Sequence, residues 1–163
     1  MLNRQKTYTV LLSIVLLSAA LVALAQSAQQ PPVGVARFSN PPAISRPVGY
    51  SHVAEVRGGK VIYVAGQVAL DRAGNLVGPG DFGAQAQQAF ENVKSALEAS
   101  GASFKDVVKL NNYLVDISQL AAFREVRDKY VNTSTPPAST TVEVRKLFRE
   151  DVLIEVEAVA VVP

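Results

Sequence analysis

Glu155 and Glu157 stand two residues apart in Ile154-Glu155-Val156-Glu157-Ala158, a run in which apolar and acidic residues alternate. A strand of period two turns both carboxylates to one face. Such a pair can place or activate a water molecule, or can be no more than a solvated face, and spacing alone leaves both readings open. A second polar cluster, Ser139-Thr140-Thr141, follows Pro137-Ala138. A serine nucleophile needs a base and an orienting acid, and neither a Gly-x-Ser-x-Gly elbow nor a triad accompanies Ser139. The chain holds one histidine, His52, and no cysteine. A metal site would have to combine carboxylates with that one imidazole, and no such spacing occurs, so neither a metal nor a disulfide is expected.

The elements that must carry these groups follow from the pattern. Pro137 cannot donate to a ladder and marks the start of one strand, and alternation resumes through residues 152–162 as a second. Upstream, residues 51–57 and 60–65 are β-rich runs separated by Gly58-Gly59, which suit a tight primed turn and predict a hairpin that opens the fold. Asp81 is placed to cap a helix with Phe82, Ala86, Ala89, Phe90, Val93, Ala96 and Leu97 on one side, and Gly101 to end it. Residues 107–115 predict a further strand. Ser118 is placed to cap a second helix whose stripe is Leu120, Phe123, Val126 and Tyr130, with Arg124, Arg127 and Lys129 outside it.

The order β-β-α-β-α-β-β predicts an α+β fold, a mixed sheet with both helices on one face. Val159 and Val161 then point away from Ile154 and Val156, so the second face also needs cover. Self-association is the simplest source of it.

At the N-terminus, Arg4 and Lys6 precede an apolar run from about Tyr8 to Leu24, closed by Ala23-Leu24-Ala25. This reads as a signal peptide over residues 1–25, with a periplasmic or secreted product and no stable membrane anchor after cleavage. Residues 26–48, rich in proline, read as an extended lead-in to a domain over 49–163. Arg4 and Lys6 are the only charged residues in the signal, so its removal takes 16 basic residues to 14, equal to the 14 acidic ones. A neutral chain without a Lys/Arg cluster offers no footprint for phosphates, and nucleic acid is not an expected partner.

Pro137-Ala138-Ser139-Thr140-Thr141-Val142-Glu143-Val144 and Ile154-Glu155-Val156-Glu157-Ala158 together resemble the RidA family, also called YjgF-like, whose pattern is Pro-Ala-Arg-Ser/Thr, Val-Glu-Val and Ile-Glu-Ile-Glu-Ala. Gly49-Tyr50-Ser51-His52, Val64-Ala65-Gly66-Gln67, Glu91-Asn92-Val93 and Gly101-Ala102-Ser103 fall in the family's order, so the resemblance spans roughly residues 36–162. It implies a chorismate-mutase-like subunit, a homotrimer with a small-molecule cleft at each subunit boundary, and hydrolysis of enamines and imines to a ketoacid and ammonia without a cofactor. It matches Glu155 to a water-positioning carboxylate, Tyr50 to a residue that closes the pocket, and Gly66 to its backbone lining. Thr141 stands where the family often has Cys or Ser.

Ser139 stands at the family's arginine, and Ala65 at a frequent serine. A hydroxyl offers one neutral donor where guanidinium offers a charged planar fork. The difference between hydrogen bonds worth roughly 1.5–3 and about 1 kcal/mol would lower affinity for a small carboxylate by up to about thirtyfold. The standard activity is therefore expected to be lost or altered. Arg127, near a pocket-lining asparagine of the family, and Arg46 are alternative sources of the missing charge, each with the plainer reading of a solvent-facing arginine. An active deaminase of a different imine and a protein-binding or chaperone-like trimer are the competing functions.

Overall fold

Strands β3 (Lys60–Gln67), β4 (Val107–Leu114), β5 (Ala138–Glu143) and β6 (Ile154–Val162) form one sheet in the order β3-β6-β4-β5. The computed structural model describes residues 35–163; the expected signal peptide and the start of the lead-in lie outside the described residues. β6 runs antiparallel to both neighbours, whereas β4 and β5 are parallel. Parallel neighbours need a crossover, and helix α2 (Leu120–Arg127) lies on that connection. The sheet is mixed and the class is α+β, as the order of elements predicted.

Alternation decides the two faces. Ile154, Val156, Ala158 and Ala160 of β6 are 0–2% exposed. They share one core with Ala86, Ala89, Phe90, Val93 and Leu97 of helix α1 (Phe82–Ala99) and with Phe123 and Val126 of α2. On the opposite face of the sheet, Val61 and Tyr63 of β3 are 45% and 80% exposed, opposite Val161 and Val159 of β6. Among the described residues no helix is long and apolar enough to cross a membrane.

The ends of α1 are as read from sequence. Asp81 accepts from the Ala84 amide at 3.0 Å, a cap worth about 1 kcal/mol. Gly101, at φ 77°, reverses the chain while its amide bonds to the Glu98 carbonyl.

Three local expectations need correction. The strand over residues 53–56 (β2, Val53–Val56) pairs antiparallel with β1 (Ala36–Ser39), a strand inside the lead-in, and no β2–β3 ladder forms. Gly59 instead serves close approach, for a Cβ there would stand 2.5 Å from the Val162 carbonyl oxygen and 2.7 Å from a Val35 methyl. Ser118 does not cap α2; Asp116 accepts from the Ser118 amide at 2.9 Å and caps the short 3-10 turn Ile117–Gln119 that leads into the helix. Arg127 is not solvent-facing but only 5% exposed.

Candidate functional site

Ser139 and Thr141, two apart on β5, pair in register with Leu110 and Asn112 of β4 and so share the helix-covered face. They line a cavity of about 360 Å³ together with Thr140, Tyr50 and the α2 arginines Arg124 and Arg127; its remaining walls are the apolar Val48, Ile117 and Leu120. No carboxylate lines it. Of the residues singled out from sequence, the cavity therefore gathers Tyr50, Arg127, Ser139 and Thr141.

The hydroxyls are set by a residue the sequence reading passed over. Asn112 is 1% exposed and occupies an alternate position between Leu110 and Leu114, both fully buried. Its Nδ2 donates to the Thr140 carbonyl at 2.9 Å, to Ser139 Oγ at 3.1 Å and to Thr141 Oγ1 at 3.2 Å. A carbonyl can only accept, so the nitrogen must face β5, and the two hydroxyl oxygens in the same reach also act as acceptors. Their own hydrogens are left to donate elsewhere. Asn112 Oδ1, by contrast, is buried without a partner, which costs on the order of 1–3 kcal/mol. The signal for this residue was present in the sequence, as a lone amide in the apolar alternation of β4.

Arg127 owes its burial to two local features. Its Nε and Nη2 donate to Asp128 Oδ1 at 2.9 and 2.7 Å, so the charge is partnered as a buried charge must be. Gly49 provides the space. A Cβ there would lie 2.5 Å from Arg127 Nη2, and φ of 74° at Gly49 itself favours glycine. The guanidinium also lies over the Phe123 ring, 5.7 Å from its centroid.

Glu155 and Gly66 are elsewhere. Glu155 pairs across the ladder with Tyr113 and projects from the open face of the sheet, where its carboxylate lies directly against Gly66. Any side chain at position 66 would displace that carboxylate. Burial, and then the neighbouring charge of Glu157, raise the Glu155 pKa above the ordinary carboxylate value. Glu157 is better satisfied, for it accepts from Tyr113 Oη at 3.1 Å and Asn111 Nδ2 at 3.2 Å. Within one chain, Ser139 and Glu155 thus lie on opposite faces of the sheet and do not share a cavity.

Arg46 lines a neighbouring cavity of about 500 Å³, which includes Tyr50 but not Ser139. His52 is tied into the frame: its amide bonds to Asn40 Oδ1 at 2.8 Å, its Nε2 to the Ser45 carbonyl at 2.7 Å, and its ring meets Tyr50 edge-on. Among the described residues no cluster of His, Asp and Glu forms a candidate metal site.

Residues 41–162 match the family model described as endoribonuclease L-PSP. The chain belongs to the RidA/YjgF family. It is 42% identical over 116 residues to a RutC family protein of Pyrococcus abyssi, covering 71% of this chain and 88% of that one. To a 2-iminobutanoate/2-iminopropanoate deaminase of Dermatophagoides farinae it is 33% identical over 127 residues, covering 77% and 96% of the two chains. Among solved structures, a conserved Rid family protein of unknown function from Yersinia pestis superposes with a TM-score of 0.72 at 35% identity, covering 78% of this chain and 99% of that one. Ser139, which the sequence resemblance matched to an arginine position, lies on β5 with Asn112 beside it on β4.

Proposed function

We propose that this chain is an exported RidA-family protein that assembles as a homotrimer with small-metabolite clefts between its subunits, and whose 2-iminobutanoate/2-iminopropanoate deaminase activity is lost or altered. The observation that carries the reading is the neutral Ser139 hydroxyl, held 3.1 Å from Asn112, where an arginine would grip the substrate carboxylate. The reaction adds water across C=N and releases a ketoacid and ammonia. It needs the carboxylate anchored while a base positions the water. Glu155, half-buried with a raised pKa, suits the second task; Ser139 does not suit the first.

Two further observations favour an assembled site. Ser139 and Glu155 occupy opposite faces of one sheet, so a ligand that met both groups would need a second copy to bring one of them across. The open face also exposes Val61 and Tyr63, apolar surface that a second copy would cover. Export rests on the sequence pattern of residues 1–25, and the absence of a nucleic-acid partner on the balanced charge without that segment.

Coupled assays that generate 2-iminopropanoate test the activity. We expect kcat/KM at least about tenfold below that of an arginine-bearing relative, and a gain in Ser139→Arg. An equal rate in the unaltered protein would overturn the reading. Light scattering is expected to give three times the protomer mass, and N-terminal sequencing of the exported protein a start at Gln26.

A further inference from the structure

Every polar group that lines the Ser139 cavity is a donor or is free to act as one. Arg127 is 5% exposed, and both of its contacts to Asp128 use Nε and Nη2, which leaves Nη1 without a hydrogen-bond partner among the described residues. Arg124 lines the same space from the preceding turn of α2, three residues back on the same helix face. Ser139 and Thr141 already accept from Asn112 through their oxygens, so each points a free hydroxyl hydrogen away from it. The lining offers two guanidinium groups, two such hydroxyls and the Tyr50 hydroxyl but no acid; Asp128 partners Arg127 from outside the lining, and Arg124 has no ion-pair partner among the described residues, so an anionic ligand would complement this donor-rich wall.

We infer that α2 supplies the cation missing from β5: Arg127, assisted by Arg124 and by the hydroxyls of Ser139 and Thr141, seats a small carboxylate in this cavity. This rests on reading the cavity as the ligand site and adds what the ligand must carry. The volume of about 360 Å³ admits a small metabolite rather than a polymer segment. The anchor then comes from helix α2 rather than from strand β5.

Calorimetric titration of the purified protein tests this with 2-oxobutanoate, with its uncharged amide and with inorganic phosphate. The carboxylate is expected to bind at least about tenfold more tightly than the amide and more tightly than phosphate. Arg127→Gln is expected to weaken it at least about tenfold and Arg124→Gln about threefold. Asp128→Asn, which frees the guanidinium from its competing partner, is expected to strengthen binding about twofold. Arg127→Gln could fail to fold, but Arg124 and Asp128 are exposed, and their variants keep the test independent.

Equal affinity for acid and amide, no binding of the acid, or unchanged affinity in both Arg124→Gln and Asp128→Asn would overturn the assignment. Tighter binding of phosphate would overturn the carboxylate as its ligand. Those outcomes leave the reading of a changed deaminase standing, whereas a full deaminase rate would sink that reading whichever way the titrations fall.

Discussion

Two neighbours on β4 point to opposite faces of the sheet and meet opposite conditions. Asn112, on the helix-covered side, is 1% exposed and binds three groups of β5, while Asn111, on the open side, makes one contact to Glu157 at 3.2 Å. Two glycines repeat the contrast: Gly49 makes room for the buried guanidinium of Arg127, and Gly66 for the carboxylate of Glu155. The covered side holds its polar groups rigidly, so recognition can be set in advance there. On the open side Glu155 is only partly buried and packs its carboxylate against Gly66.

The glycines give the largest test. Gly49→Ala is expected to lower the unfolding free energy by about 2–4 kcal/mol, from a left-handed residue worth about 1–2 and a displaced buried charge. Gly66→Ala meets only the flexible end of a glutamate and is expected to cost under about 1 kcal/mol, while moving the carboxylate. Urea unfolding at one fixed protein concentration measures both, and equal losses would break the contrast.

The asparagines come next. Asn112→Ala strips the donor from a carbonyl and two hydroxyls, with an expected loss of about 1–3 kcal/mol, against under about 0.5 for Asn111→Ala. The order reversed would mean that the covered face is not the rigid one.

A smaller effect concerns pH. Glu155 has a folded pKa raised by burial and by Glu157, so its ionisation is harder in the folded chain than in the unfolded one. Its contribution is fully present below the unfolded carboxylate pKa and is lost as pH rises through the folded value. Glu155→Gln should therefore gain stability relative to the unaltered protein as pH is raised from about 4 to 7, the range above the ordinary carboxylate pKa. A thermal-melting series across that range with no change in the difference would refute it.

The least effect is on Tyr113, whose pKa is raised chiefly by its hydrogen bond to Glu157. Glu157→Gln is expected to lower it, seen as an earlier rise of tyrosinate absorbance.

Periodicity carried most of the fold. The alternation of β6 and the three-and-four spacing of α1 are local signals, and the faces they predicted are the buried ones. The failures were non-local. Two adjacent glycines suggest a turn, but Gly59 is required by the approach of Val162 from the far end of the chain. Arg127 was placed outside the apolar stripe because its burial depends on a glycine 78 positions earlier. Residue types and the family resemblance singled out Ser139 and Glu155 as candidates, yet their opposite faces emerge only from the register of β4 with β5 and β6. Asn112 was legible in principle, since an amide among leucines demands a reason.

The start of β5 is stitched to the segment that carries Gly49 and Tyr50. Ser51, 3% exposed, bonds through its amide to the Pro137 carbonyl at 3.0 Å and through its hydroxyl to the Pro136 carbonyl at 2.7 Å. Two walls of the cavity are therefore joined through Ser51, and parting them breaks the hydrogen bond from its amide to the Pro137 carbonyl. That single amide becomes a built-in reporter: its deuterium uptake should slow whenever the cavity is filled, whatever the occupant.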